Sequence, residues 1–422
     1  MRIPGESHLT YCTNVHAGES LAEIERNLRV HVAGVKRLIC PDAPFGVGLW
    51  LSARAAEALR AGGALAQLRA LLEELGLYVF TLNGFPYGAF HGGPVKTAVY
   101  TPDWRDPRRL AYSNALAVLL AELLPDGVDG SISTLPCGFK PSLRAADHAL
   151  IADQLLQHAA HLHALRRSTG KTIALALEPE PCCLLETTDE AVAFFARYLH
   201  GADAVRRLCE LTGEPAAEAS ALARRHLGVC LDACHAAVEH ELAAEVVGKL
   251  QAAGIAIVKI QLSAGIRIAR ATAESVRALE PYLDPVYLHQ VVARRGQTLE
   301  RYVDLPDALA ALAQVPDERA EPAEWRVHYH VPIFLDRLRE SAPLRSAGVV
   351  PLLETTQPFL RELLALQRAQ RLSPHLEVET YTWDVLPFTG ASPEGSASEL
   401  AQPLAAGLAR ELRFCLDQLT GP

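Results

Sequence analysis

Short apolar runs alternate with long alanine- and leucine-rich stretches along most of the chain. The short runs read as strands at positions 8–14, 45–52, 77–83, 130–135, 172–178, 227–232, 256–263 and 375–382. The stretches between them carry apolar residues at helical spacing, as in 19–39, where Ser20 is a candidate N-cap, and in 53–75. Strand and helix in alternation require crossover connections and therefore a parallel sheet. Eight such repeats favour a closed α/β architecture, a (β/α)8 TIM barrel, over an open doubly wound sheet. No GxGxxG follows the first strand, so a dinucleotide-binding open sheet lacks its main support.

Two segments break the alternation. The loop at 84–103 is rich in Gly, Pro and aromatic residues and too long for a connector, which predicts an ordered cover over a site. The region at about 264–374, between the last two barrel strands, far exceeds one helix. It holds two further β-like runs, VYLHQVV from Val286 and WRVHYHV from Trp325. An insertion over the barrel mouth is expected there, a β-hairpin with helices, within one domain spanning 1–422.

The polar residues fall where the predicted strands end. Glu178 closes one strand in LALEPEP. Asp232 closes the next and is followed by His235, in VCLDACH. Gln261 lies near the end of VKIQLS, and Glu377 and Glu379 alternate in LEVETYTW. In a barrel the C-terminal strand ends share one rim, where active sites are built. Carboxylates crowded on such a rim repel one another, and a divalent cation removes the repulsion. Oxygen ligands with an occasional imidazole suit Mn2+ or Mg2+, and more nitrogen suits Zn2+. The expected metal ligands are Glu178, Asp232, Gln261 and Glu379.

Structural alternatives stand beside each of these. Glu178 precedes a proline and can open a turn. Asp232 can cap a helix. A buried Gln261 can hold a backbone group. Glu377 lies one layer deeper than Glu379 and needs a partner such as Lys259. His328 and His330 alternate, which places both on one face of a strand. Together with His235, Asn83 and His91 they are candidate substrate contacts. His8, Asn14, His16 and His289 are weaker ones, and Cys230 and Cys234 read as core.

Composition narrows the classes. The chain has 422 residues, half of them hydrophobic, and a formal charge of -9. An acidic surface disfavours nucleic acid. No apolar run is long enough to span a bilayer, and the N-terminus lacks a secretory pattern. The nine cysteines show no CxxC pair and read as free thiols in a reducing, cytoplasmic setting. Exposed barrel helices allow a homo-oligomer.

The rim residues resemble those of the xylose-isomerase-like barrel superfamily, which includes sugar isomerases, epimerases and endonuclease IV. Glu178 in LEPE, Asp232 and His235 in CLDACH, and Glu379 match its metal-binding positions. Gln261 stands where that group has histidine, and His330 is a candidate to replace the missing imidazole. More closely, HLTYCTNVHAGE, LDACH, VKIQLS, HYHVPIF and HLEVETYTW resemble the EboE-type metabolite traffic proteins over nearly the whole length. The resemblance implies a small polyhydroxylated metabolite, sugar- or cyclitol-like. It implies a metal-dependent isomerase or epimerase with Glu178 and Glu379 as the acid/base pair. A non-catalytic carrier on the same barrel is the alternative reading, motivated by Gln261 and the insertion. Phosphodiester cleavage of the endonuclease IV kind is a third.

Overall fold

Eight apolar runs form strands buried along nearly their whole length, as a parallel sheet covered on both faces requires. They are β1 (His8–Tyr11), β2 (Phe45–Trp50), β3 (Leu77–Asn83), β4 (Gly130–Thr134), β5 (Ile173–Leu177), β6 (Leu227–Asp232), β7 (Ile257–Leu262) and β8 (His375–Val378). The structure is a computed structural model that describes residues 1–314, 322–338, 353–386 and 397–421. The eight strands pair in parallel in the order β1-β8-β7-β6-β5-β4-β3-β2.

The two ends of that order meet, and the sheet closes into a (β/α)8 barrel. A single parallel bridge joins Cys12 to Gly48. Threonine side chains replace the rest of the ladder. The Gly48 amide donates to Thr10 Oγ1 at 3.2 Å and the Trp50 amide donates to Thr13 Oγ1 at 2.9 Å. Thr10 Oγ1 in turn donates to the Gly46 carbonyl at 2.6 Å.

Gly48 sits at this seam because a side chain does not fit. A Cβ there would lie 1.6 Å from Glu377 Oε1 and 2.9 Å from the Tyr11 carbonyl oxygen. Gly48→Ala is therefore expected to destabilise the protein by about 3 kcal/mol, because backbone and a buried carboxylate must both shift. Urea unfolding checks this, and an unchanged midpoint would mean that Glu377 swings aside freely.

The helices follow the sequence pattern with local breaks. Ser20 caps its helix and forms a capping box with Glu23. The stretch expected as one helix over 53–75 is two, Ala53–Leu59 and Ala64–Glu74. Gly62 and Gly63 interrupt it with φ of +57° and +82°, which end one helix and redirect the next.

Among the described residues between β7 and β8, the chain builds a second sheet of six short antiparallel strands. Their spatial order is Thr298–Tyr302, Val291–Arg295, Glu324–Val327, Ile266–Ile268, Leu353–Thr355 and Arg337–Leu338. Positions 315–321 and 339–352 of the 264–374 region lie outside the described residues. The β-like runs are shorter than expected. The first becomes strand only at Val291, so His289 precedes it.

The second run stops at Val327, so His328 and His330 are not on a strand face. The Tyr329 amide donates back to the Val327 carbonyl at 2.9 Å, a turn that takes the chain off the ladder with His328 at its centre.

Candidate metal centre

Three strands deliver a carboxylate to one place. Glu178 follows β5 directly, and its amide extends the barrel pattern by donating to the Thr134 carbonyl at 3.1 Å. Asp232 ends β6. Its Oδ1 accepts from the His235 amide at 2.8 Å and from Ser263 Oγ at 2.7 Å, so it also caps the helix Ala233–Val238. Glu379 follows β8, and its Oε1 accepts from Asn14 Nδ2 at 2.8 Å and from Asn83 Nδ2 at 3.0 Å. One oxygen from each of Glu178, Asp232 and Glu379 lies within 4.8 Å of the others, and all three residues are buried.

The donor set fits a divalent cation. Glu178 Oε2 and Asp232 Oδ2 are buried with no hydrogen-bond partner, and so are both amide atoms of Gln261. Gln261 pairs in register with Asp232 on one side and with Glu377 on the other. Each unsatisfied buried polar atom costs about 1–3 kcal/mol, and an oxygen-binding cation removes that cost. Lys259, the buried cation beneath the cluster, is already committed to Glu377 at 2.6 Å.

Burial pushes the Glu178 carboxyl well above the ordinary carboxylate range, and the neighbouring Glu379 and Asp232 charges push it further. Glu379 rises to about 8, from burial first and then from Asp232 and Glu377. Folded Glu379 thus keeps a proton that the unfolded chain, at its usual 4.5, has released. The metal-free folded state binds more protons in that interval, so its stability falls as pH rises from about 4.5 towards 8. Thermal melts in a chelator are expected to show this fall, of up to ~4 kcal/mol, and to show it flattened in Glu379→Gln. A chelated protein whose stability does not fall across that interval would contradict the picture.

Imidazoles surround the carboxylates. His235 Nε2 lies 3.1 Å from His328 Nε2, which lies 3.1 Å from His330 Nε2. Burial holds His328 well below the usual histidine range and lowers His330 to about 4. All three line the same cavity as Glu178, Glu379 and Asn83. Tyr287 and Leu288 of the insertion form part of its wall, with Phe85 and Phe90 from the long loop after β3.

His91 is not among the lining residues. The loop turns Phe90 into the cavity and His91 behind it, against Trp50 and Tyr287. His8 packs with Phe80 and His375 at the start of the strands, far from the rim, and His16 hydrogen-bonds Tyr11. His289 stacks on Tyr329 and bonds Asp284, a packing role.

The sequence reading missed Glu180, Tyr100 and Gln290. Glu180 Oε1 accepts from Tyr100 Oη at 2.7 Å and from Gln290 Nε2 at 3.1 Å. The second glutamate of LEPEP was the available signal. Tyr100 ends a single short 3-10 helix, Lys96–Tyr100, and Gln290 lies in an irregular segment, so no periodicity points either of them inward.

No protein-family model matches the chain, and no curated protein does. Solved structures similar to it include a xylose isomerase domain protein from Planctomyces limnophilus, 13% identical, covering 98% of each chain with a TM-score of 0.46. An L-ribulose 3-epimerase is 13% identical, with 97% of this chain and 95% of that one covered, at a TM-score of 0.42. An IolI protein with a bound zinc atom is 11% identical, with 96% and 98% covered, at 0.41. No helix among the described residues is long and apolar enough to cross a membrane.

Proposed function

We propose that the protein is a divalent-metal-dependent isomerase or epimerase acting on a small polyhydroxylated carbonyl compound, sugar- or cyclitol-like. The observation that carries this reading is the convergence of Glu178 and Glu379, from strands separated by β6 and β7 in the barrel, on one buried spot beside Asp232. Glu178, Asp232, Glu379 and Gln261 would hold the ion, Mn2+, Mg2+ or Zn2+. Bound there, it would polarise a substrate oxygen as a Lewis acid.

The protein's own groups do the rest. Glu178 and Glu379 approach the reacting carbon from two sides, one removing a proton and the other returning it. Asn14 and Asn83 fix the Glu379 carboxylate by one oxygen. Phe85, Phe90 and Tyr287 supply an apolar wall for the C–H faces of a ring, and Glu180 and the imidazoles face its hydroxyls. The likeness to EboE-type sequences supports a place in small-metabolite biosynthesis and traffic. Nine unpaired cysteines support a reducing, cytoplasmic setting.

The test is hydrogen exchange in D2O. Protein reloaded with Mn2+, Mg2+ or Zn2+ is expected to move deuterium into a C–H position of at least one member of a ketose and inosose panel, and Glu379→Gln is expected to lose at least 100-fold of that rate. Exchange in no member, whatever the metal, overturns the reading. A second reading, a non-catalytic carrier, is favoured by Gln261, whose amide is unpartnered at the position where the family has histidine. A co-purified small molecule that stays chemically unchanged on long incubation would support it.

A further inference from the structure

The helix Pro107–Leu123 carries Arg109 in its first turn, and the side chain is fully buried. Two penalties meet there. A buried cation loses its water, and the positive end of a helix dipole disfavours a positive side chain. Among the described residues no carboxylate lies within ion-pair range of it. Asp103 and Asp106, whose charges reach it, pair instead with Arg105 at 2.6 Å and Arg108 at 2.5 Å. Burial lowers the Arg109 pKa to about 10, which still leaves a cation at neutral pH.

Its contacts are with both ends of the loop after β3. Nε donates to the Pro102 carbonyl at 2.8 Å, at the far end. Nη1 donates to the Gly84 carbonyl at 2.8 Å and to the Phe85 carbonyl at 3.0 Å, at the near end. The rings of Tyr87 and Tyr112 each lie 5.7 Å from the guanidinium carbon. Gly84 itself is wedged in place. A Cβ there would lie 2.9 Å from both a Leu116 methyl and the Ser133 carbonyl oxygen, and the Gly84 amide donates to that same carbonyl at 2.9 Å.

The Gly84 carbonyl and the Phe85 amide belong to one peptide plane and point opposite ways. The Phe85 N–H donates to Asn83 Oδ1 at 2.9 Å. That contact decides which end of the Asn83 amide is oxygen. The other end, Nδ2, faces Glu379 Oε1 at 3.0 Å and Cys12 Sγ at 3.3 Å. A continuous line of donors and acceptors therefore runs from the guanidinium, through one peptide and one side-chain amide, to the carboxylate. A positive charge on the carbonyl also polarises the peptide and strengthens the N–H on its other side.

We propose that Arg109 is a positioning residue for Glu379: it locks the Gly84–Phe85 peptide, and through it Asn83, in the orientation that presents an amide N–H to that carboxylate. A charge without a counterion, at the wrong end of a helix, is poorly suited to stabilising the fold and well suited to fixing three carbonyls at once. Lysine is no substitute. Its single ammonium lacks the planar fork that reaches Pro102 with one nitrogen and the 84–85 carbonyls with another. The expected effect on rate rests on the reading of Glu379 as an acid/base group; the orientation of Asn83 does not.

Asparagine-selective 15N labelling of the full chain tests it. The chain has four asparagines, Asn14, Asn27, Asn83 and Asn114, so four side-chain amide signals are expected, and Asn83→Asp identifies one by its loss. In Arg109→Lys, shown to be folded by circular dichroism, the Asn83 signal should move and its protons should exchange with solvent at least ~10-fold faster. Asn27 and Asn114, which bond the Ala17 carbonyl and His158, should stay in place. With whichever ketose or inosose the wild type exchanges in D2O, the same variant should lose about 10- to 100-fold in kcat, with KM and metal content unchanged.

An Asn83 signal that keeps its wild-type position and exchange rate in Arg109→Lys overturns the proposal. So does a signal that moves while kcat stays at the wild-type value. If the variant does not fold, the wild type decides through its Phe85 amide. Exchange as slow as that of the barrel strands supports the lock, and exchange as fast as that of the exposed Gly92 overturns it. A wild type that exchanges no C–H position of any ketose or inosose removes the isomerase reading and leaves the Asn83 signal to judge the role of Arg109.

Discussion

Asp232→Ala is expected to strip the protein of nearly all bound metal. Asp232 stands between Glu178 and Glu379 in the carboxylate cluster, so its loss removes one of the three charges that would hold the ion. The same substitution also removes two accepted hydrogen bonds, from the His235 amide and from Ser263 Oγ. Losing the helix cap should cost about 1 kcal/mol of stability. Asp232→Asn separates the two effects. Its amide oxygen still accepts both hydrogen bonds, so the variant should lose the metal yet melt no lower than the chelator-stripped wild type. Elemental analysis beside thermal melts reads both quantities. Metal retained at wild-type level in Asp232→Ala would show that the rim is not what holds it.

Lys259→Met should produce the largest loss of stability. Lys259 and Glu377 are both fully buried and paired at 2.6 Å inside the barrel, below the rim. Burial alone would drive the Lys259 ammonium towards neutrality, but Glu377 overrides it and raises its pKa. Removing the lysine leaves a carboxylate with no countercharge in a low-dielectric interior. The expected cost is about 3–5 kcal/mol by urea unfolding. The double substitution Lys259→Met with Glu377→Leu should recover most of it, because breaking a buried pair is costly and replacing both partners is not. A single-variant cost under about 1 kcal/mol would mean that Glu377 simply takes up a proton.

The barrel was legible because its strands are short, apolar and bounded by polar residues. β3 and β6 match their predicted limits, and each ends in the polar residue, Asn83 or Asp232, that marks the rim. The rim itself was legible for the same reason, since a carboxylate at the end of an apolar run has few places to go. The insertion was harder. The alternation of His328 and His330 looks like strand periodicity, but an extended segment held by a turn spaces side chains the same way. His91, a candidate substrate contact on the loop, is turned away because Phe90 takes the inward position. Glu180 and Gln290 act through contacts between segments far apart in sequence, which no local pattern records.

The seam between β1 and β2 has a dynamic consequence. Every other neighbouring pair of barrel strands is joined by a ladder of at least three paired residues, with a register shift in β2–β3 and in β6–β7, whereas this one is held by a bridge and the hydroxyls of Thr10 and Thr13. Local opening follows the line of fewest backbone bonds. The amides of Gly48 and Trp50 should therefore be the first in the barrel to exchange with solvent deuterium, ahead of any cooperative unfolding. The barrel then behaves as an eight-stranded sheet with a latch. Releasing the latch would expose the Lys259–Glu377 pair to water before the rest of the core.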